Sequence, residues 1–108
     1  MISTSANNIL ILLENVAKTE FSDYLLSYDK LKRYLKKIDS PLKIGITIDT
    51  AHIVGSGFDI DTLKSLSTDV KNDVRLIHLN GNERKFGSKQ DKHVSVFSPN
   101  DTVFGGDK

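Results

Sequence analysis

Residues 44–49 read IGITID, an apolar segment in which isoleucine alternates with small residues and the only charge is the final aspartate. Uncharged runs of about five residues are typical of strands that are buried on both faces, as in a parallel sheet. Two more short apolar runs lie at 9–13 and 74–79, and all three runs are too short to stand as helices. We therefore predict parallel strands near 9–13, 44–48 and 74–79.

A helical pattern separates the first two predicted strands. Apolar residues recur there at intervals of three or four and form one stripe on a helix face, which ends before Ser40-Pro41. The same spacing recurs more weakly before the third strand, where Asp59 or Asp61 can cap the helix. This alternation of strands and helices, at a spacing of about 30 residues, is the order of βαβ units and predicts the α/β class. The stripe residues are Tyr24, Tyr28, Leu31, Leu35 and Ile38, then Ile60, Leu63, Leu66 and Val70.

The composition excludes several classes of protein. The 108 residues carry 15 Lys and Arg against 14 Asp and Glu, a net charge of +1 that is unlike a strongly basic nucleic-acid coat protein. Without cysteine, disulfide scaffolds and thiolate zinc sites are excluded. No apolar run approaches the roughly 20 residues that span a bilayer, and no basic segment precedes the run at 9–13 as in a signal peptide. We expect a cytoplasmic or nuclear protein that is neither secreted nor bound to a membrane.

The two ends of the chain show little regular pattern. Residues 1–8 are polar, and we expect them to end a preceding helix or to form an irregular start. Asn80-Gly81-Asn82 predicts a turn, and the glycine-containing end at 104–108 shows no closing element. We therefore expect irregular structure after residue 80.

Each predicted strand ends near a residue that can bind a metal ion or transfer a proton. Glu14 follows the first strand and Asp49 the second. His52 comes three residues after Asp49, and His78 lies near the end of the third strand. The carboxyl ends of parallel strands meet at one edge of the sheet, where the active sites of α/β folds are found. A further carboxylate–imidazole pair follows in the loop at 91–93.

Histidine combined with Asp or Glu is a ligand set for zinc or manganese, and a carboxylate can bridge two ions. Each residue alone also fits a plain structural place: Glu14 as a solvated residue, Asp49 as a helix cap, His78 as a core histidine. Their joint occurrence at successive strand ends favours a metal site, and without cysteine a zinc ion here is more often catalytic than structural. The candidate ligands are Glu14, Asp49, His52, His78, Asp91 and His93.

Three segments around these residues resemble signatures of the endonuclease IV family of apurinic/apyrimidinic endonucleases, also called AP endonuclease family 2. Residues 48–59 are similar to its D-T-x-H-x-x-x-x-G-[YF]-D segment, with Asp49, Thr50, His52, Gly57, Phe58 and Asp59 in place. Residues 78–93 are similar to its H-L-N-D … G-S-x-x-D-R-H signature at the same spacing, and 13–17 resemble its E-N-T-A segment. The resemblance covers roughly residues 9–93.

The resemblance implies a TIM-type (β/α)8 barrel that repairs double-stranded DNA by hydrolysing the phosphodiester 5′ to an abasic sugar, which leaves a 3′-hydroxyl and a 5′-deoxyribose phosphate. It also implies a centre of up to three zinc ions. Carried over by motif, Glu14 would bridge two ions and serve as the catalytic carboxylate, with Asp49 and His78 on one of those ions. His52, Asp91 and His93 would hold the third.

The sequence departs from the family pattern at several positions. Gly81 stands where the family has Asp, 18–20 replace a glycine-rich stretch, and 94–99 replace an I-G-E-G segment. Two histidines expected upstream and one glutamate expected downstream have no candidates. A TIM barrel needs about 200 residues or more, so we expect 1–108 to be a fragment of a single barrel domain.

Two other interpretations remain open at this point. The first is a related metal-dependent sugar isomerase barrel, from which the loop at 87–93 distinguishes this chain. The second is a non-catalytic remnant that associates with itself or pairs with a missing half-barrel, as the open sheet edges of a partial barrel favour. A basic cluster in the loop can contact DNA phosphates or can be a solvated surface. It contains Arg84, Lys85, Lys89 and Lys92.

Overall fold

Three parallel strands form the central sheet of the computed structural model, which describes residues 9–105. They are β1 (Leu10–Glu14), β2 (Lys43–Asp49) and β3 (Val74–His78). They lie in the order β1-β2-β3, so β2 is central and the other two are edge strands. The prediction of parallel strands in an α/β arrangement is confirmed. Our expectations for 1–8 and for the last residues of 104–108 lie outside the described part of the chain.

The predicted first helix is α1 (Phe21–Lys37), which packs on one face of the sheet. Phe21 and Tyr28 are buried in one cluster with Ile46 of β2. Farther along the stripe the residues are more exposed, and Ile38 lies just beyond the helix as its C-terminal cap. The spacing of apolar residues therefore predicts the helix correctly, but its second half is less buried than the stripe indicates.

A short helix, α2 (Thr50–Gly55), follows β2 directly. The spacing of apolar residues does not predict it, but it agrees with the alternative interpretation of Asp49 as a helix cap. Its residues are buried on nearly every side, so no amphipathic periodicity is present in the sequence. The side chain of Asp49 caps the helix, because Oδ1 accepts a hydrogen bond from the backbone N–H of His52 at 3.2 Å. This turn of helix folds His52 back over the carboxyl end of the sheet.

The single second helix predicted near 60–70 is wrong in detail. The segment forms a 3-10 helix (Ile60–Ser65) and then a separate short helix, α3 (Thr68–Asp73). The break occurs because the hydroxyl of Ser67 caps α3 by accepting from the N–H of Val70. Of the two predicted caps, Asp59 is the one that caps the 3-10 helix, by accepting from the N–H of Asp61.

The region after residue 80 contains more regular structure than we expected. Gly81–Asn82 forms β4, and His93–Val94 forms β5, and these two short strands pair antiparallel. The pairing places Asn82 opposite His93 and closes the loop between them. Within residues 9–105, no helix is both long enough and apolar enough to cross a bilayer.

The amino end of the sheet is joined to α1 by a polar contact. The Tyr28 hydroxyl donates to Oδ2 of Asp73 at 2.8 Å and is 3.3 Å from the carbonyl oxygen of Ile44. Lys32 donates to the same Asp73 oxygen at 2.7 Å. Burial alone would raise the pKa of the Asp73 carboxyl, but the hydrogen bonds from Lys32 and Tyr28 lower it overall. A charged Asp73 therefore holds the last turn of α3 to α1.

We predict that Tyr28→Phe lowers the free energy of unfolding by about 1.5 kcal/mol, because Asp73 loses a donor in a mostly buried contact. Urea unfolding monitored by circular dichroism measures the change. Tyr34→Phe is the matched control on the same helix, because the Tyr34 side chain is exposed. The free energy of unfolding of this variant should stay within about 0.5 kcal/mol of the parent. Equal losses in the two variants would contradict the contact.

Candidate metal centre

The carboxyl ends of the three parallel strands bring three predicted site residues together. Glu14 is the last residue of β1, Asp49 the last of β2 and His78 the last of β3. Nδ1 of His78 lies 3.0 Å from Oε2 of Glu14 and 4.0 Å from Oδ2 of Asp49. The sheet therefore presents two carboxylates and one imidazole at a single edge, as expected for parallel strands.

The other three predicted residues reach the same edge from α2 and from the loop that ends in β5. Nε2 of His52 lies 2.7 Å from Oδ2 of Asp91, and Nε2 of His93 lies 2.8 Å from Oδ1 of the same carboxylate. The two imidazole rings have their centroids 5.5 Å apart. The Asp91 carboxylate thus lies between them, each of its oxygens facing one ring.

Asp49 is the most buried member of the cluster. It faces His78 at the strand ends and also the two imidazoles that contact Asp91. Only 1% of its side chain is exposed. Its Oδ2 lies 3.6 Å from Nε2 of His93 and 3.8 Å from Nδ1 of His52, in addition to the contact with His78. A buried carboxylate with three imidazoles around one oxygen links the two halves, so all six predicted residues form one cluster.

The orientation of the His52 ring is fixed by the backbone. Nδ1 of His52 lies 2.7 Å from the carbonyl oxygen of Asn15, and a carbonyl can only accept, so this nitrogen carries the proton. The other nitrogen, Nε2, donates to Asp91 when it carries a proton, and after loss of that proton it is free to bind a metal, an arrangement typical of metal-binding histidines. Burial alone would lower the pKa of His52, but the hydrogen bonds to Asn15 and Asp91 and the charge of Asp49 raise it overall above 6.5.

The donor atoms fit a divalent metal ion of the zinc type. Two subsets have their ligand atoms within 4.8 Å of one another. Nitrogen and carboxylate ligands in groups of three, with further positions open to solvent, are the ligand set of catalytic zinc. Asp49 belongs to both subsets, whereas the resemblance assigns it to one ion and gives Asp91 to the other. The subsets are Glu14, Asp49 and His78, and Asp49, His52 and His93.

Asparagine side chains that we did not single out as site residues hold the ligands in place. Asn15 accepts from the N–H of Asp49 at 2.8 Å through its side-chain oxygen. The side-chain amide of Asn80 donates to Oδ2 of Asp49 at 3.0 Å. The hydroxyl of Thr50 ties α2 to the end of β3 by its contacts with the backbone of Asn80. All three lie inside the motif segments, so the signal was present but gave them no role.

A cleft of about 850 Å³ opens beside the cluster. Arg84 and Lys18 line it together with Asp91 and His52, which places positive charge next to the candidate ligands. The predicted basic cluster is not uniformly available for a ligand, because Lys89 donates to the carbonyl of Ser56 at 2.7 Å. Lys92 is likewise paired, with Glu83 at 3.4 Å, so Arg84 is the cluster member best placed on the cleft.

Comparison with known proteins identifies the family. The profile of the family described as xylose isomerase-like TIM barrel matches residues 3–102. The chain belongs to that family. This agrees with the parallel strands and the site at their carboxyl ends, and the resemblance to endonuclease IV is confirmed for this part of the barrel. No solved structure matches the chain significantly.

Several proteins with similar sequences are named probable endonuclease 4. The protein from Thermosipho melanesiensis is 33% identical over 94 residues, which are 80% of this chain and 33% of the relative. The one from Thermosipho africanus is 32% identical over 97 residues, 82% of this chain and 34% of the relative, and that of Buchnera aphidicola is 29% identical over the same shares. The chain thus spans about a third of the length of the curated relatives it matches.

Proposed function

We propose that this chain is the central part of a zinc-dependent DNA-repair endonuclease, a deoxyribonuclease IV-like phosphodiester hydrolase acting 5′ to abasic sites in base excision repair. The observation that carries the proposal is the convergence of all six candidate ligands around the buried carboxylate of Asp49. The relatives named probable endonuclease 4 support it. The 108 residues then form one piece of a single barrel domain, and the ions are zinc, with manganese as the alternative.

In this proposal the cluster residues divide between holding the metal and facing the substrate. Bound zinc ions would neutralise the phosphodiester charge and make water a better nucleophile at neutral pH. Asp49 and His78, together with Glu14, would hold one part of the centre, and His52, Asp91 and His93 the other. Glu14 has 35% of its side chain exposed, so its carboxylate has an open side toward the substrate. The role of catalytic carboxylate is given to Glu14 by the endonuclease IV resemblance, and this exposure is compatible with it.

The proposed substrate is double-stranded DNA with an abasic site. An abasic sugar can leave the helix at low cost because no base pair holds it, so its flanking phosphate can reach a recessed centre. The cleft beside the cluster offers Arg84 and Lys18 to neighbouring phosphates, which fits a polyanion better than a neutral sugar. Lys18 lies in the segment where the sequence departs from the family's glycine-rich stretch.

A sugar isomerase is the second candidate, because the family profile carries the xylose isomerase name. The loop at 87–93 favours the endonuclease instead. It brings Asp91 and His93 to within 2.8 Å of each other and Asp91 to His52, so the three residues to which the endonuclease resemblance gives one ion lie together. The isomerase interpretation predicts aldose–ketose interconversion and no cleavage of DNA.

The remaining barrel strands are the proposed occupants of the two sheet edges. β1 and β3 each pair with β2 on one side only. Apolar side chains on both are exposed, with Leu10 at 45% and Ile77 at 56%. Parallel strands with open apolar edges are completed in this fold by further strands. A chain supplied alone would meet only a second copy of itself at these edges.

The proposed activity is tested by a chimera in which residues 9–105, which include Asp101 and its partners, replace the matching segment of the Thermosipho melanesiensis relative. We expect chelator-sensitive incision of a duplex with one tetrahydrofuran abasic analogue and none of the undamaged duplex. His52→Ala in the chimera should lower the rate by about 100-fold or more, since it removes a proposed ligand. Asp61→Ala is the matched control, because Asp61 is an exposed carboxylate of the 3-10 helix outside the motif segments.

The relative itself is assayed in parallel, and thermal unfolding reports whether the chimera is folded. A folded chimera that leaves the abasic duplex intact, while the relative incises it, would contradict the proposed function. Isomerisation of an aldose by the same chimera would favour the second candidate.

A further inference from the structure

The side chain of Asn82 is buried between the segments that carry three candidate metal ligands. It is fully buried, and its amide donates to the carbonyl of Ala51 at 3.2 Å and to that of Gln90 at 3.1 Å. Its side-chain oxygen accepts from the N–H of Lys92 at 3.1 Å and of Arg84 at 2.9 Å. Ala51 precedes His52, while Gln90 and Lys92 flank Asp91. One side chain thus fixes the backbone next to two candidate ligands.

The third ligand of this group is fixed by the backbone of the same residue. Asn82 in β4 lies directly opposite His93 in β5. His52, Asp91 and His93 therefore all take their positions relative to Asn82, although Asn82 does not itself touch a metal position. The geometry of these three candidate ligands therefore depends on the position of Asn82.

Asn82 is in turn held by a buried carboxylate 19 residues farther along the chain. Oδ1 of Asp101 accepts from the N–H of Asn82 at 3.1 Å and from that of Val103 at 2.8 Å. Its Oδ2 accepts from the N–H groups of Phe97 and Phe104 at 3.0 and 3.1 Å. The neighbouring Thr102 donates to the carbonyl of Asn82 through both its N–H and its hydroxyl. Both backbone groups of Asn82 are therefore bound by residues 101 and 102.

The Asp101 carboxylate occupies the space above Gly81. A Cβ atom added to Gly81 would lie 2.6 Å from Cγ of Asp101 and 2.7 Å from its Oδ1, which is closer than packed atoms can approach. Asp101 is fully buried. Burial alone would raise the pKa of its carboxyl, but the four backbone N–H groups lower it overall. A charged carboxylate is thus built into this place, and residue 81 must be glycine for it to fit.

These contacts connect two departures from the endonuclease IV pattern that looked unrelated in the sequence. The family has Asp where this chain has Gly81, and it has I-G-E-G where this chain has 94–99. Residues 95–105 here lead the chain back over β4 and deliver the carboxylate of Asp101 to the position next to residue 81. The family pattern has a carboxylate on residue 81 itself, whereas in this chain the carboxylate of Asp101 occupies the space next to that residue.

We propose that Asp101 is a positioning residue of the metal centre: it replaces the carboxylate missing at Gly81 and, through Asn82, sets the positions of His52, Asp91 and His93. This role rests on the proposed metal centre. Asp101 acts only through the backbone of Asn82 and has no contact with the candidate ligands themselves among the interactions of residues 9–105.

The test compares Asp101→Asn with the parent chain by zinc titration against a chromophoric chelator. The Asn side chain keeps one acceptor oxygen, but its NH2 group must face one of the two pairs of N–H donors that bind the carboxylate. Two of the four hydrogen bonds are therefore lost, and the turn that holds Asn82 is disturbed with little change in volume. We expect zinc affinity to fall by about 10- to 100-fold. The cobalt-substituted variant should also show an altered visible absorption spectrum, which a loss of stability alone does not produce.

Asp73→Asn is the matched control. Asp73 is also a hydrogen-bonded carboxylate, but it lies at the amino end of the sheet and is bound by Tyr28 and Lys32. The Asp73→Asn substitution should lower the stability of the chain but leave its zinc affinity within about twofold of the parent. Zinc affinity unchanged in Asp101→Asn, or lowered equally in Asp73→Asn, would overturn the positioning role.

Two metal-free measurements separate this inference from the proposed function. Amide hydrogen exchange at Lys92 and Arg84 should accelerate in Asp101→Asn, because both amides bond to the side chain of Asn82. The melting-temperature loss in Gly81→Ala/Asp101→Ala should be smaller than the sum of the single losses, since the two positions share one space. If the parent chain binds no zinc, the proposed metal centre is contradicted. The inference is then tested by the metal-free measurements alone, and unchanged hydrogen exchange or additive melting-temperature losses would overturn it.

Discussion

Replacing His93 by alanine is expected to remove at least one equivalent of zinc from the loaded chain. Nε2 of His93 lies 2.8 Å from Asp91 and 3.6 Å from Asp49, and His93 belongs with Asp49 and His52 to one of the two groups of three candidate ligands within residues 9–105. A group of three that loses one ligand retains two, which is fewer than zinc sites in proteins use. Atomic spectroscopy after dialysis against zinc-free buffer measures the change in metal content.

Lys92→Ala is the matched control for this experiment. Lys92 is the adjacent residue in the same loop, but its amine pairs with Glu83 at 3.4 Å instead of joining the cluster. Its removal should leave the zinc content unchanged, and circular dichroism should show both variants to be folded. A His93→Ala chain that keeps the full zinc content of the parent would show that His93 is not a ligand.

The sequence predicts the sheet well because the strands have a strong and local signal. The three apolar runs place β1, β2 and β3 to within one or two residues, and the stripe from Tyr24 places α1. The expectation that the strands are buried on both faces is correct for most of β2 but wrong for β1 and β3, which lie at the sheet edges with exposed or half-buried residues. The elements that were missed or misjudged lack such a signal. α2 is too short and too buried to be amphipathic, and the break in the second helix depends on one hydroxyl, that of Ser67.

The six candidate ligands could be found because each follows a strand or lies in a specific motif, and parallel strands bring their ends together. The residues that hold them could not be assigned a role in the same way. Asn15 bonds to Asp49 across 34 residues, and Asn82 bonds to Asp101 across 19. Contacts over such separations leave no periodicity, and the sequence at Gly81 does not indicate that the carboxylate of Asp101 packs against it. Sequence patterns therefore identify candidate ligands more readily than the residues that position those ligands.

The isolated 108-residue chain is expected to incise abasic DNA at least about 100-fold more slowly than the full-length Thermosipho melanesiensis relative, or not at all. The chain spans 33% of that relative. The endonuclease IV resemblance implies two further histidines and a glutamate for which this sequence has no candidates. Phosphodiester hydrolysis by several metal ions depends on all of them being held in fixed geometry, so a cluster with missing ligands loses most of its rate.

The open sheet adds an independent reason for low activity. β1 and β3 are edge strands, and Leu76, Ile77 and Leu79 at one edge are 44%, 56% and 62% exposed. Apolar edges of this kind favour association of copies or marginal stability, and either disturbs a site built on the strand ends. The assay is incision of a duplex with one tetrahydrofuran analogue, with zinc, with an EDTA control and with light scattering to report the oligomeric state. Efficient, chelator-sensitive incision by the monomeric chain would show instead that Glu14, Asp49 and their four neighbours suffice for catalysis.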